Sequence, residues 1–258
     1  QYFIRRACGN MFFKPKVMIC VPTGITEVEE RAVVAASNQA GARQTHLIEE
    51  PVAAAIGAGL DISGPTGRMV VDIGGGTTDI AVISLGGIVV SDSIKVAGDK
   101  MDEAIMRYVR RTYNMLIGER TAERIKISIG AIYEHKRPKT IKVKGRDLRD
   151  GLPKEVLISS TEMLEALYEP IESILDSVCS VIERTPPELV GDILQHGITL
   201  TGGGSLIYGF DKLITKVTGI SARVADDPIS CVAIGTGESL ENLAAIPEGS
   251  VNFSKYKN

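Results

Sequence analysis

One order of elements occurs twice in this chain and restricts the fold more than its composition does. Residues 15–57 read as strand, helix, strand and a short helix opened by Glu50-Pro51 and closed by Ala55-Ile56-Gly57. Residues 197–235 read the same way, with Asp227-Pro228 before the last helix and Ala233-Ile234-Gly235 at its end. The Pro-to-Gly spacing differs by one residue, so the repeat is approximate, and any α/β chain alternates strands with helices. The segment ahead of the second copy sharpens it. There Arg68–Asp72, Asp79–Ser84 and Ile88–Val96 read as a β-meander, with Gly86-Gly87 as a tight turn. Only about fourteen residues precede the first copy, too few for three strands of about five residues each plus turns. Two equal halves would leave the first without its meander. The opening Gln1-Tyr2-Phe3-Ile4, with no Met, adds to the expectation that the start of that half is missing.

Local signals set the individual elements. Val17–Val21 reads as a buried strand stopped by Pro22, and Thr26-x-x-Glu29 is a capping box opening a helix to about Gln39, ended by Gly41. His46–Ile48 is a short strand, and Pro51 starts a helix through Ile56. Apolar residues at Met101, Ile105, Tyr108, Val109 and Leu116 predict a helix, with a shorter one over about Arg120–Ile127. Tyr133–Ser159 is basic and strand-like, with Gly145 and Gly151 as turns. A long helix is expected from near Ser160, kinked at Pro170 and ending before Pro186-Pro187. Strand Ile198–Leu200, a helix over about Ser205–Thr218, strand Ala222–Ala225 and a helix starting at Pro228 complete the pattern.

Composition narrows the class of protein. With 258 residues, 44% of them hydrophobic, the chain can build a sizeable core. Twenty-nine basic against 32 acidic residues give a net charge of -3, which leaves no overall footprint for nucleic acid. Cys8, Cys20, Cys179 and Cys231 are scattered, without a C-x-x-C pair or clustered His; four buried thiols in a reducing cytosol fit better than two disulfides. No apolar run approaches the roughly 18 residues of a membrane span.

The chemistry concentrates in two glycine clusters. In Asp72-Ile73-Gly74-Gly75-Gly76-Thr77-Thr78-Asp79, three glycines between two strands let backbone N–H groups close on an oxyanion, and two hydroxyls add donors. Asp72, at the end of an apolar strand, is placed to hold Mg²⁺ through water. The plainer alternative is a glycine-rich hairpin. Thr201-Gly202-Gly203-Gly204-Ser205 lies between strand and helix, where the glycines admit a flat ring or sugar and the helix offers free N–H groups. On a short helix, Glu123-Arg124-Ile125-Lys126 puts Glu123 and Lys126 on one face, able to flank a purine and ribose or simply to form a solvated face. Glu50 is either a dipole-stabilising carboxylate or a group that orients water towards a γ-phosphate, and neighbouring Glu49 is an equal candidate for that role. Phe12 and Phe13, in a loop with Arg5, Arg6, Lys14 and Lys16, either enter the core or insert among anionic lipid headgroups.

In combination, Val71–Asp79, Glu49-Glu50-Pro51-x-Ala53-Ala54-Ala55-Ile56-Gly57, Gly118–Glu123, Thr185-Pro186-Pro187-Glu188-Leu189 and Leu200–Gly204 resemble the MreB/Mbl family of bacterial actin homologues over essentially the whole chain. The resemblance implies an α/β, actin-like ATPase fold of two ribonuclease-H-like halves closing on ATP and Mg²⁺, the first half incomplete. Residues 1–64 and 234–258 would be the remainder of the first half, 65–100 and 160–233 the second half, and 101–159 a small subdomain. Carried over, Gly74, Gly75, Gly76, Thr77 and Thr78 match the second phosphate loop. Glu123, Arg124, Ile125, Lys126, Gly202, Gly203, Gly204 and Ser205 match the adenosine-binding elements, Glu50 the water-orienting glutamate and Thr77 its helper. Phe12 and Phe13 match the membrane-contacting loop.

The family's first phosphate loop, an Asp-x-Gly-Thr hairpin, occurs nowhere in this sequence, so weak or no ATP hydrolysis is expected. The resemblance further implies a cytoplasmic protein at the inner face of the membrane that determines rod cell shape by organising wall synthesis. Its partners would be itself, in filaments and double protofilaments, the membrane surface and cell-elongation membrane proteins, with no nucleic acid. Lys136–Arg149 and Pro186-Pro187 would serve as longitudinal surfaces, and Val28 and Val33 as lateral ones. A sugar kinase or phosphatase would need a polar substrate insert, and an Hsp70-like ATPase a following peptide-binding domain; neither is visible in the sequence.

Overall fold

The computed structural model describes residues 14–241, together with Tyr2, Arg6 and the backbone of Val251–Asn252. Strand β1 (Lys16–Val21) is followed by helix α1 (Glu27–Ala40), strand β2 (Gln44–Glu49) and helix α2 (Glu50–Gly57). The capping box forms as expected: Thr26 Oγ1 accepts from the Glu29 N–H, and the Glu29 carboxylate accepts from the Thr26 N–H. β1 and β2 pair in parallel, and Val251–Asn252 adds antiparallel to β2.

The meander follows as β3 (Arg68–Ile73), β4 (Thr78–Ser84) and β5 (Gly87–Ile94). Helix α3 (Gly98–Tyr113), β6 (Met115–Leu116), helix α4 (Glu119–Ile129), β7 (Thr140–Asp147) and β8 (Pro153–Ser159) come next, with β6, β7 and β8 forming a small antiparallel sheet. Helices α5 (Ser160–Ala166), α6 (Tyr168–Arg184) and α7 (Pro187–His196) lead to β9 (Ile198–Thr201), α8 (Phe210–Thr218), β10 (Ala222–Val224) and α9 (Cys231–Glu241). The central sheet has the order β10-β9-β3-β4-β5, with β3 to β5 antiparallel and β9 and β10 parallel to β3.

This sheet is buried on both faces, and the period of two decides what each face carries. Met69, Val71, Ile73, Ile80 and Val82 pack into a large core with Met101 and Ile105 of α3, Ile125 of α4, Val178 of α6 and Ile214 of α8. Val70, Ala81 and Ile83 face a second core with Met18, Ile48 and Val52–Ala55 of the first repeat copy. Cross-strand pairing sets Val70 opposite Ala81 and Asp72 opposite Asp79, so both aspartates continue the face that looks towards α2. A residue slip would turn both carboxylates into the larger core.

The repeat is structural as well as textual. Both copies fold as strand, helix, parallel strand and helix. Their closing helices cross at the two repeat glycines. A Cβ on Gly57 would fall 1.9 Å from the Cys231 carbonyl oxygen, and one on Gly235 would fall 1.9 Å from that of Ala53.

Several local expectations are corrected. The meander turn is Leu85-Gly86, not Gly86-Gly87: both residues have positive φ (52° and 72°), as a two-residue type I′ turn requires, and Ser84 pairs with Gly87. Gly145 is no turn. It lies inside β7, where a Cβ would come 2.4 Å from the Leu116 carbonyl oxygen, while Gly151 does turn the chain, at φ 76°. The long helix breaks at Leu167 into α5 and α6, with Pro170 in the first turn of α6, because proline offers no N–H to carry the hydrogen-bond ladder back into α5. The helix placed at Ser205 is a 3-10 turn over Gly203–Leu206, and α8 begins only at Phe210. The last helix begins at Cys231, after a turn that includes Pro228.

Candidate functional site

The loop between β3 and β4 is held by its carbonyls. The Gly74 N–H donates to Thr77 O at 2.9 Å, closing the turn. The first N–H groups of α3 take the loop's other carbonyls, Gly98 N–H to Gly74 O at 3.1 Å and Asp99 N–H to Gly75 O at 2.8 Å. Gly98 is closely packed, since a Cβ there would meet Gly74 O and Lys126 Nζ, each at 3.2 Å. Gly75 and Gly76 stay exposed, and among the described residues their N–H groups and that of Thr77 have no protein partner. An outward row of backbone donors between fixed carbonyls is an anion-binding concavity. Of the two hydroxyls expected there, Thr78 is fully buried and donates to Val96 O at 2.7 Å, so Thr77 alone has one to offer.

Asp72 ends β3 with 7% of its surface exposed and accepts a 2.9 Å hydrogen bond from Thr201 Oγ1. Burial pushes its carboxyl up to about 6, against the Thr201 hydrogen bond and with added repulsion from Asp79. Asp79 is 1% exposed, and its Oδ1 is buried without a hydrogen-bond partner. Glu50, at the start of α2, is raised by burial and then by repulsion from Asp79 and Asp72. Glu49 is raised by burial and by Glu30 of α1. Of the two adjacent glutamates, Glu50 therefore shares the field of the aspartates, while Glu49 shares that of α1. Cys20 of β1 stands in the same field, its thiol pushed up to about 12 by burial and next by Glu50.

Asp79 Oδ1, a buried carboxylate oxygen without a hydrogen-bond partner, is the kind of group that the waters of a divalent ion would satisfy. Among the described residues no three His, Cys, Asp or Glu side chains form a group that could hold a metal ion directly.

The second glycine loop meets a packing need of its own. Gly202, at φ 78°, would set a Cβ 2.3 Å from Ile73 O and 2.7 Å from Asp72 Oδ1, and a Cβ on Gly204 would lie 2.4 Å from Ile73 Cγ2. These two glycines admit the end of β3, whose backbone and Ile73 side chain leave no room for a Cβ. Gly203 is exposed, with Ile229 Cγ1 the nearest atom to its would-be Cβ at 4.0 Å, and it is the position left open to a ligand. Ser205 is 1% exposed and donates its hydroxyl to Gly202 O at 2.6 Å, so it caps its own turn.

On α4, Glu123 and Arg124 are exposed, as a ligand-facing or solvated face requires. Ile125 has no exposed surface and belongs to the large core, so its side chain is a packing residue. Lys126 turns inward, donating to Asp102 Oδ2 at 2.8 Å and Gly98 O at 2.9 Å. Sequence reasoning missed Gly98 and Asp102, because the apolar period of α3 located the helix but said nothing of what its first turn touches. Phe12 and Phe13 lie outside the described residues, as does Cys8. The other three cysteines are free; Cys231 is buried, and Cys20 and Cys179 only half-buried.

The meander, the parallel strands beside it and the repeated helices crossing at glycine define an actin-like α/β fold. A likeness to the MamK double helical filament, at TM-score 0.78 and 20% identity over 93% of this chain and 73% of that one, shows the same fold. The MreB/Mbl protein family model matches residues 1–248, and the chain belongs to that family. It is 52% identical over 245 residues to the cell shape-determining protein MreB of Escherichia coli strain K12, covering 94% of this chain and 71% of that protein. It is 49% identical over 249 residues to the cell shape-determining protein Mbl of Bacillus subtilis strain 168, covering 96% and 75%. The crystal structure of MreB5 of Spiroplasma citri bound to ADP matches with TM-score 0.89 and 41% identity over 94% of this chain and 73% of that one. A second MreB5 structure, bound to AMPPNP, matches equally. Among the described residues no helix is long and apolar enough to cross a membrane.

Proposed function

We propose that this protein is an ATP- and Mg²⁺-dependent, actin-like filament protein that lies on the inner face of the cell membrane and sets rod shape by organising wall synthesis. The observation that carries the reading is the outward N–H row of Gly75, Gly76 and Thr77 set beside the Glu50, Asp72 and Asp79 carboxylates. A polyphosphate–Mg²⁺ complex satisfies both at once, the donors taking phosphate oxygens and the carboxylates taking the waters of the ion. Relatives at 41% identity bind ADP and AMPPNP, and relatives near 50% are cell shape-determining proteins.

In this reading Glu50 orients the attacking water with help from Thr77. Asp72 holds the ion through water, and Glu123, Arg124, Lys126 and Gly203 surround the nucleoside. Mg²⁺ would supply charge neutralisation at the transferred phosphoryl group. The first half of the fold comprises 1–64 and 234–258, the second half 65–100 and 160–233, and the small subdomain 101–159. Filament growth is head to tail, a contact that need not close into a ring. Lys136–Arg149 and Pro186-Pro187 would form the ends and the exposed Val28 of α1 a lateral contact, whereas Val33 packs partly into a small core with Val34 and Leu47. Phe12 and Phe13 would contact lipid.

Sedimentation and electron microscopy with Mg²⁺–ATP and anionic vesicles test the proposal. ATP-dependent, vesicle-bound filaments are expected, with vesicle binding lost in Phe12→Ser/Phe13→Ser. No nucleotide binding in a titration of the protein would refute the core of it.

A further inference from the structure

The buried ion pair of Asp102 and Lys126 lies between two parts of the candidate site that the sequence treats as separate. Both side chains are only 13% exposed. Lys126 comes from α4, beside exposed Glu123 and Arg124, and reaches the first turn of α3 through Asp102 Oδ2 and Gly98 O. That same first turn holds the phosphate loop, because Gly98 and Asp99 donate to Gly74 O and Gly75 O. A continuous chain of hydrogen bonds therefore runs from α4 to the loop that offers its N–H groups to an anion. The pairs Lys100–Glu103 and Arg107–Glu169 on the same helix are exposed, and neither reaches the loop.

The link is incomplete in the protein alone. Lys126 has three N–H donors and uses two, and Asp102 Oδ1 is buried with no partner. One Lys126 donor is thus left beside the face of α4 that would receive the nucleoside. A hydroxyl-bearing ligand there can accept from it, which fixes the pair and, through it, Gly98 and Asp99.

We propose that Asp102 and Lys126 are positioning residues that couple occupancy by a nucleoside at α4 to the geometry of the Gly74–Thr77 phosphate loop. The inference rests on the nucleotide reading above and adds to it a coupling between the two ends of the ligand, through which the phosphate-free part alone orders the loop. The coupling is reciprocal, so phosphate in the loop strengthens nucleoside binding by the same factor.

Amide hydrogen exchange at Gly98 and Asp99, whose acceptors are the loop carbonyls, reads this directly, with adenosine and inorganic pyrophosphate as separate probes. Saturating adenosine is expected to slow exchange at both amides about tenfold in the unaltered protein, and less than about twofold in Asp102→Asn, while pyrophosphate protects both proteins alike. Lys126→Gln is the second variant should Asp102→Asn not fold, and Lys126→Arg, which keeps the charge, should restore most of the protection. Equal protection by adenosine in the variants and the unaltered protein would overturn the coupling, and so would the absence of any adenosine effect in a protein that binds ATP. Failure to bind ATP at all would instead remove the nucleotide reading on which the coupling stands.

Discussion

Replacing Gly235 by Ala tests whether the two repeat copies are locked where their helices cross. The new Cβ would lie 1.9 Å from Ala53 O and 2.7 Å from the Gly57 backbone nitrogen. Both are backbone atoms, so no side chain can swing aside. Bringing the first contact out to 3.0 Å, below which real Cβ atoms essentially never approach, requires α9 and α2 to separate by about 1.1 Å. Such separation strips dispersion contacts from Val52, Ala53 and Ala54, all at or near zero exposure. Overpacking of this kind costs about 1–3 kcal/mol, and more where backbone must move. Against it stands the gain of about 1 kcal/mol for Ala over Gly within a helix. The expected net loss is about 2 kcal/mol, a fall in Tm of roughly 4–8 °C for a chain of this size.

Gly237 supplies the control, two residues further along the same helix with nothing within 4 Å of its would-be Cβ. Gly237→Ala should gain up to about 1 kcal/mol from helix propensity alone. Thermal and urea unfolding followed by circular dichroism separates the two variants. If Gly235→Ala proves as benign as Gly237→Ala, the crossing is not the close contact described here. Gly57→Ala, whose Cβ would meet Cys231 O at 1.9 Å, should match Gly235→Ala, and the double variant should cost less than both together because the helices need to part only once.

Further outcomes follow from the site. Asp72, raised to about 6, binds a proton in the native state over a range where the unfolded chain has released it, so stability without cation should fall as pH rises from about 4 to 6. Asp72→Asn should flatten that slope, leaving the part that Glu49 and Glu50 contribute, and be the more stable protein at pH 7 by up to about 3 kcal/mol, read from urea midpoints across pH; an unchanged slope would exclude Asp72 as a source. Gly202→Ala should destabilise by at least about 2 kcal/mol, since it adds strain at positive φ to a clash with Ile73 O, whereas Gly203→Ala should unfold normally and weaken only nucleotide binding, measured by titration. Glu50→Gln should lower ATP turnover by about 10²-fold with affinity changed less than about twofold, while Glu49→Gln changes neither; equal effects of the two would place Glu49 in the site as well.

The sequence by itself determined the order and pairing of elements in most of the second half and the closing glycines of both copies. Those signals are local. A strand of period two carries its face assignment in its own residues, so Asp72 and Asp79 had to share the face of Val70 and Ala81 once the meander was recognised. Capping at Thr26 and the presence of glycine turns at 74–76 and 202–204 were likewise readable from short segments. The tertiary structure decided which partner each residue meets. It put Glu50 in the repulsive field of Asp72 and Asp79, and Glu49 in that of Glu30. It assigned Ile125 to the core and turned Lys126 to Asp102, 24 residues away, a pairing that no spacing rule reaches. It also set Gly202 and Gly204 against Ile73. A glycine records only that something comes close; what comes close is settled by packing between segments distant along the chain.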